Sequence, residues 1–176
     1  MFERAWLDRF LALLPPGAPV LDLGCGMAEP IAAYVIERGH PVTGVDGAPA
    51  MIALCRARFP AQRWIVADVR GFHLGETFAG LLAWDSLFHL PPDQQRAMFP
   101  VFGRHVGPGG ALMFTSGPHH GIAMGEFEGE PLYHASLDAA EYQTLLHSHG
   151  FDVLAHRVED PGCGDHTVWL ARRRDQ

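Results

Sequence analysis

Apolar positions recur along this chain in two periods, and the switches between them mark out its elements. Phe2, Trp6, Phe10 and Leu14 return every four residues, with Leu7, Leu11 and Leu13 beside them. That spacing lays an apolar stripe along a helix, which Pro15-Pro16-Gly17 ends. Val20–Leu23 is a short strand. Ile31–Arg38 returns to the helical period and stops at Gly39. His40–Asp46 predicts a second strand, and Pro49–Phe59 a helix with Met51, Ile52, Leu54 and Cys55 inward. Arg63–Asp68 is a third strand. Phe78–Asp85 is almost continuously apolar, as suits a strand covered on both faces. Pro92–His105 predicts a helix, and Pro108-Gly109-Gly110 turns into a fifth strand, "ALMFTSG". Asp138–His149 is a helix whose Asp138 and Glu141 have capping-box spacing. "FDVLAHRVE" and "DHTVWLARR" close the chain as two strands around the turn Pro161-Gly162-Cys163-Gly164.

Strands alternating with helices predict an α/β fold. Its doubly wound sheet is mostly parallel, with helices on both faces. The last two strands are joined by a short turn, so they run antiparallel. Residues 1–176 read as a single domain, with an N-terminal helix within 1–17. Residues 117–137 form a connection long for so compact a domain, a candidate substrate loop or lid.

Hydrophobic residues are 48% and charged residues 19%, so a core can form without staples. The 20 acids exceed the 13 bases, for a formal charge of −7. An acidic surface repels a phosphate backbone unless its bases cluster. The one cluster, Arg172-Arg173-Arg174, reads as a solvated end, so no nucleic-acid partner is expected. Three cysteines without framework spacing point to a reducing compartment. The first seventeen residues carry charges inside their apolar stretch and lack a cleavage site. They predict neither a signal peptide nor a membrane span. A soluble cytoplasmic protein, monomer or homodimer, is the expectation.

In a doubly wound sheet, ligands bind beyond the carboxyl ends of the strands. That rim gathers Asp22, Asp46, Asp68 and Asp85. Asp46 follows Gly26 by twenty residues, an offset at which an acid accepts from ribose hydroxyls. Gly24-Cys25-Gly26 removes side chains where backbone must approach a ligand. Glu29 is placed in the first turn of the next helix, and with Asp22 it disfavours a pyrophosphate there. The field suits a ligand with a positive end.

With these residues in view, the chain resembles the class I methyltransferases that use S-adenosylmethionine, which have a Rossmann-like sheet. "VLDLGCGMAEP" is similar to their first motif. "VTGVDGAPAMI", "IVAD", "LLAWDSLFHL" and "VGPGGALMFTS" resemble the strand ends that follow. The resemblance implies S-adenosylmethionine as cofactor and S-adenosylhomocysteine as product. It implies that Asp22, Leu23, Gly24, Cys25 and Gly26 surround the methionine part and that Asp46 holds the ribose. Asp68 and the Val69 amide would meet the adenine, with Gly47 and Met51 packed near it. Trp84 and Asp85 would border the reacting methyl. Ala28 stands where the family has a third glycine, and no N-terminal cover precedes Phe2, which suggests an open site.

Methyl transfer from a sulfonium begins with a cation and ends neutral, so no metal is required. Of the eleven histidines, His119-His120, His134 and the Cys163/His166 pair could suggest a metal. No HExxH helix or second pair accompanies them, and no metal is predicted. "TSGPHH" lacks the G-x-S-x-G elbow of a hydrolase. "WDSLF" is not the DPPY type linked to methylation of DNA bases, which leaves a small-molecule acceptor. His89, His120 and His134 are the candidate catalytic residues, as base or as orienters of the acceptor. Two rivals stand beside this reading: an NAD-linked oxidoreductase, and a cofactor-binding module without catalysis.

Overall fold

The computed structural model describes residues 1–127 and 129–175. Its elements in chain order begin with α1 (Arg4–Leu11), β1 (Val20–Leu23), α2 (Ile31–Glu37), β2 (Val42–Asp46) and α3 (Pro49–Arg58). There follow β3 (Arg63–Val66), β4 (Phe78–Ala83), α4 (Pro92–His105) and β5 (Val106–Ser116). The chain continues through β6 (Gly121–Phe127), β7 (Glu130–Ser136), α5 (Ala139–Ser148), β8 (Phe151–Asp160) and β9 (His166–Arg173). Seven strands form one sheet in the order β3-β2-β1-β4-β5-β9-β8, while β6 and β7 form a separate pair. The first five strands of the sheet pair in parallel. β9 lies antiparallel between β5 and β8. This is the doubly wound, Rossmann-like arrangement expected, and strand order reverses between β1 and β4.

Alternation along β1 sets the two layers, because successive side chains point to opposite faces. Val20 joins Leu7 and Phe10 of α1, Val35 of α2, and Ile52 and Cys55 of α3. Leu21 and Leu23 join Phe99 and Phe102 of α4 and Tyr142 and Leu146 of α5. Leu7 and Phe10 are fully buried, and each such side chain contributes about 1.5–3 kcal/mol. Leu54, expected inward, is instead 40% exposed. Ile52 and Cys55 take the inward positions three apart, and Leu54 falls on the opposite side of α3.

Four local expectations change. Glu29 lies before α2 rather than in its first turn, and its carboxylate pairs with Arg58 at 3.2 Å. Ala28 has φ +69° and Pro30 disfavours helix at the residue before it, so α2 starts only at Ile31. The capping box is half formed. Asp138 accepts from the Ala140 amide at 2.8 Å, while Glu141 turns to Arg96 of α4 at 2.5 Å. A cation is a stronger partner than a neutral amide. β5 begins at Val106, ahead of the glycines, and the register against β4 shifts between Phe78 and Gly80.

The fourth change is in residues 117–137. They form the β6–β7 hairpin, paired from Gly121↔Ser136 to Phe127↔Glu130, rather than a loop. The crossover from β3 to β4 has no α-helix. His105, fully buried at the end of α4, anchors it instead. The His105 ring stacks with Phe72 at 5.6 Å, and its Nε2 accepts from the Leu74 amide at 3.1 Å. Among the described residues no helix is long and apolar enough to cross a membrane.

Candidate active site

Three neighbouring cavities open at the carboxyl ends of β1 to β5. A crevice of about 670 Å³ runs along the ends of β2, β3 and β4, past Asp46, Gly47, Asp68 and Val69. A smaller cavity of about 290 Å³ lies beside β1, lined by Asp22, Cys25, Met51, Trp84 and Glu3. A third, of about 750 Å³, lies under the hairpin, with Phe88, His89, His134 and His166 in its walls. Asp85 lines all three.

The glycine turn after β1 is built for close approach. Gly24 has φ +81°, and a side chain there would overlap the Ser86 Cβ. Ser86 Oγ donates to the Leu23 carbonyl at 2.9 Å, which ties the end of β4 to that of β1. Gly26 has φ +52°, and a Cβ on it would meet nothing within 4 Å. The Gly26 amide donates to Asp46 Oδ2 at 2.9 Å, and the Ala48 amide to Oδ1 at 2.8 Å. A carboxylate offers about four acceptor sites, so Asp46 keeps capacity on both oxygens.

The remaining acids are in unlike surroundings. Asp22 is 2% exposed, and burial, with Asp46 nearby, pushes its carboxyl up to about 7. Asp68 lies near the surface, and Arg70 holds it well below the usual carboxylate range. The Arg70 Nε reaches both Asp68 oxygens, at 2.8 and 2.9 Å. Beside Asp22, the Trp84 Nε1–H is buried and finds no acceptor among the described residues.

Asp85 stands in the left-handed region at φ +46°. Its amide donates to Thr115 Oγ1 at 2.9 Å, and that hydroxyl donates to Asp85 Oδ1 at 3.2 Å. His166 meets the other oxygen, Nε2 to Oδ2 at 3.0 Å, while its Nδ1 lies 2.7 Å from the Cys163 carbonyl. Both acceptors call for an N–H, so the ring is doubly protonated. The Asp85 partnership raises the His166 pKa to about 9. The ring also lies 5.3 Å from that of Trp84. Strand register makes the meeting. Ala83 is level with Phe114 and Ser116 with Thr167, so Asp85 and His166 flank the end of β5 from either side.

Most residues singled out in the sequence line one of these cavities. Leu23 does so only through its neighbours: it is buried, and its carbonyl is taken by Ser86. Met51 lies with Asp22 rather than along the Asp68 side of the crevice. His89 and His134 come together, ring centroids 5.1 Å apart, with Phe88 edge-on to His134 at 5.0 Å. Burial and His89 hold His134 below the ordinary histidine value. His120 lines the same cavity. The sequence reading did not single out Arg70 or Glu3, and it named His166 only beside Cys163 as a metal candidate, not as the partner of Asp85. Arg70 had a signal, an arginine two residues past a strand-end acid. His166 had none, since 81 residues separate it from Asp85.

This strand order, with a glycine turn after β1 and acids at successive strand ends, defines a class I methyltransferase fold. The chain belongs to the methyltransferase-domain family, whose model matches residues 20–110. It is similar to the malonyl-[acyl-carrier protein] O-methyltransferase of Pectobacterium atrosepticum, 28% identical over 175 residues, 98% of this chain and 64% of that protein. It is also similar to the trans-aconitate 2-methyltransferase of Escherichia coli, 32% identical over 96 residues, 53% of this chain and 36% of the relative. The chain spans 36% to 64% of the length of these two curated relatives. Among solved structures, a sugar N-methyltransferase from Streptoalloteichus matches with a TM-score of 0.79 at 20% identity, covering 99% of this chain and 89% of that one. The 1,6-didemethyltoxoflavin-N1-methyltransferase of Burkholderia thailandensis matches at 0.76 and 24% identity, covering 99% and 79%. These two likenesses share the fold.

Proposed function

We propose that this chain binds S-adenosylmethionine across the crevice and the smaller cavity, and transfers its methyl group to a small molecule held under the hairpin. The observation that carries this reading is Asp85, which borders all three cavities. A donor on one side and an acceptor on the other would meet there.

The residues fit the cofactor. Gly26 leaves open the space that a Cβ would fill. Asp46 has acceptor capacity for ribose hydroxyls. Gly47, Asp68 and Val69 would flank the adenine, with Asp68 already steadied by Arg70. The smaller cavity joins the Asp22 carboxyl to the orphaned Trp84 N–H. One can receive an ammonium and the other can donate to a carboxylate, the two ends of an amino acid. Cys25 and Met51 complete that wall, with Leu23 buried behind it. When bound, the cofactor supplies an electrophilic methyl group on a positively charged sulfur.

The chain's own part is alignment, exclusion of water and handling of one proton. Well-oriented reactants gain about 7–11 kcal/mol at the limit. His134 is held in its neutral, basic form beside His89, so it can accept a proton from the acceptor. His120, in the same cavity wall, orients the acceptor.

Calorimetric titration with S-adenosylmethionine, S-adenosylhomocysteine and NAD tests the reading. The first two bind and NAD does not. Binding of NAD alone, or of none, overturns it. Release of S-adenosylhomocysteine over a panel of small acceptors then separates an enzyme from a binding module.

A further inference from the structure

The cavity under the hairpin has a charge pattern that restricts what can occupy it. All 13 basic residues of the chain are arginines, and there is no lysine. Among the described residues, no arginine lines this cavity. Three acids do: Asp85 after β4, with Glu159 and Asp165 on either side of the turn that leads into β9. Glu159 and Asp165 are both exposed, and both have left-handed backbone, at φ +46° and +58°.

Five histidines line it, and neither His166 nor His134 supplies the missing cation. His166 carries charge, but both its N–H groups are committed, one to Asp85 and one to the Cys163 carbonyl. A second anion would find no donor on that ring. His134 is held neutral by burial and by His89. An anionic group entering here would therefore meet three carboxylates and no arginine. A cationic group would meet the reverse. The wall also presents the apolar side chains of Phe88, Ile122 and Leu132.

We infer that this cavity takes an amine-bearing acceptor with an apolar or aromatic body, and rejects a free carboxylate. The inference rests on the reading of the cavity as the acceptor site. The amine is drawn by Glu159 and Asp165 and held at Asp85. Each Asp85 oxygen has one partner in the structure and keeps capacity for another. The body lies against Phe88 and the two aliphatic side chains of the hairpin. Selection is by charge and desolvation, because like-charge juxtaposition in a partly enclosed site is costly.

The test measures binding, not turnover. Two probes of matched body, 2-phenylethylamine and 3-phenylpropionate, are titrated at pH 7.5 by calorimetry and ligand-observed NMR. Each is run against the full chain, with and without saturating S-adenosylhomocysteine. The amine is expected to bind at least tenfold more tightly than the carboxylate. A Glu159→Gln/Asp165→Asn double variant, checked for an unchanged thermal melt, is expected to close most of that gap. Equal or tighter binding of the carboxylate, no binding of the amine, or a gap untouched by the double variant overturns the inference. If S-adenosylhomocysteine fails to bind while the amine preference persists, the methyl-transfer reading falls and the charge selection stands.

Discussion

Asp22 shows at the scale of one residue how a group proposed to hold the cofactor opposes folding. Its carboxyl titrates near 7 when folded and near 3.8 when free. Between those values the folded chain holds a proton that the unfolded chain releases, so stability falls as pH rises through the window. Asp22→Asn removes that loss. The variant is expected to be more stable than the parent at pH 8, by up to about 4 kcal/mol, with the difference vanishing near pH 4. It is also expected to bind S-adenosylhomocysteine at least about tenfold more weakly, a loss of about 1.4 kcal/mol. Urea denaturation at the two pH values and calorimetry check both halves. A less stable variant at pH 8 would refute the assignment. Asp22, Gly24, Gly26 and Asp46 were legible because a strand, a tight turn and an acid twenty residues on make a local pattern. The Asp85–His166 pair was illegible because only the β4–β5–β9 register creates it.

At the scale of elements, the hairpin is held at its base by one buried glutamine. Gln95 of α4 donates from Nε2 to the carbonyls of Leu90 and Ala135, both at 2.8 Å. Its Oε1 accepts from the Tyr142 hydroxyl at 2.6 Å, and that hydroxyl accepts from the Leu137 amide at 3.2 Å. Gln95→Leu keeps the volume and strands those partners. The expected cost is about 1–3 kcal/mol, with hydrogen exchange accelerated more at the β6 and β7 amides than in the seven-stranded sheet. Uniform exchange across the molecule would show that Gln95 does not anchor the hairpin. The hairpin escaped the sequence reading for a physical reason. Ile122 and Met124, on one face of β6, are both more than 60% exposed, so no core-facing alternation marks the strand. The central strands β1, β2 and β4 were legible because both their faces are buried.

For the whole molecule, the layout separates two tasks. The side proposed for the nucleotide is made by the ends of β1 to β4, whereas the third cavity owes a wall to the hairpin. Gly121 pairs with Ser136, so a short turn can join the flanking chain. Replacing residues 121–134 by a four-residue Gly/Ser turn is expected to leave S-adenosylhomocysteine affinity within about threefold, while methylation of any acceptor falls at least a hundredfold. A matched loss of affinity would show that the two tasks are not separable.

β9 follows both of its sheet neighbours in the chain yet lies between them. During synthesis β5 and β8 leave the ribosome with a gap that only a later segment can fill. His166, the first residue of that segment, also completes the ion pair at Asp85. One strand thus closes the gap between β5 and β8 and brings the partner of Asp85, so a chain cut before His166 is expected to lose both together.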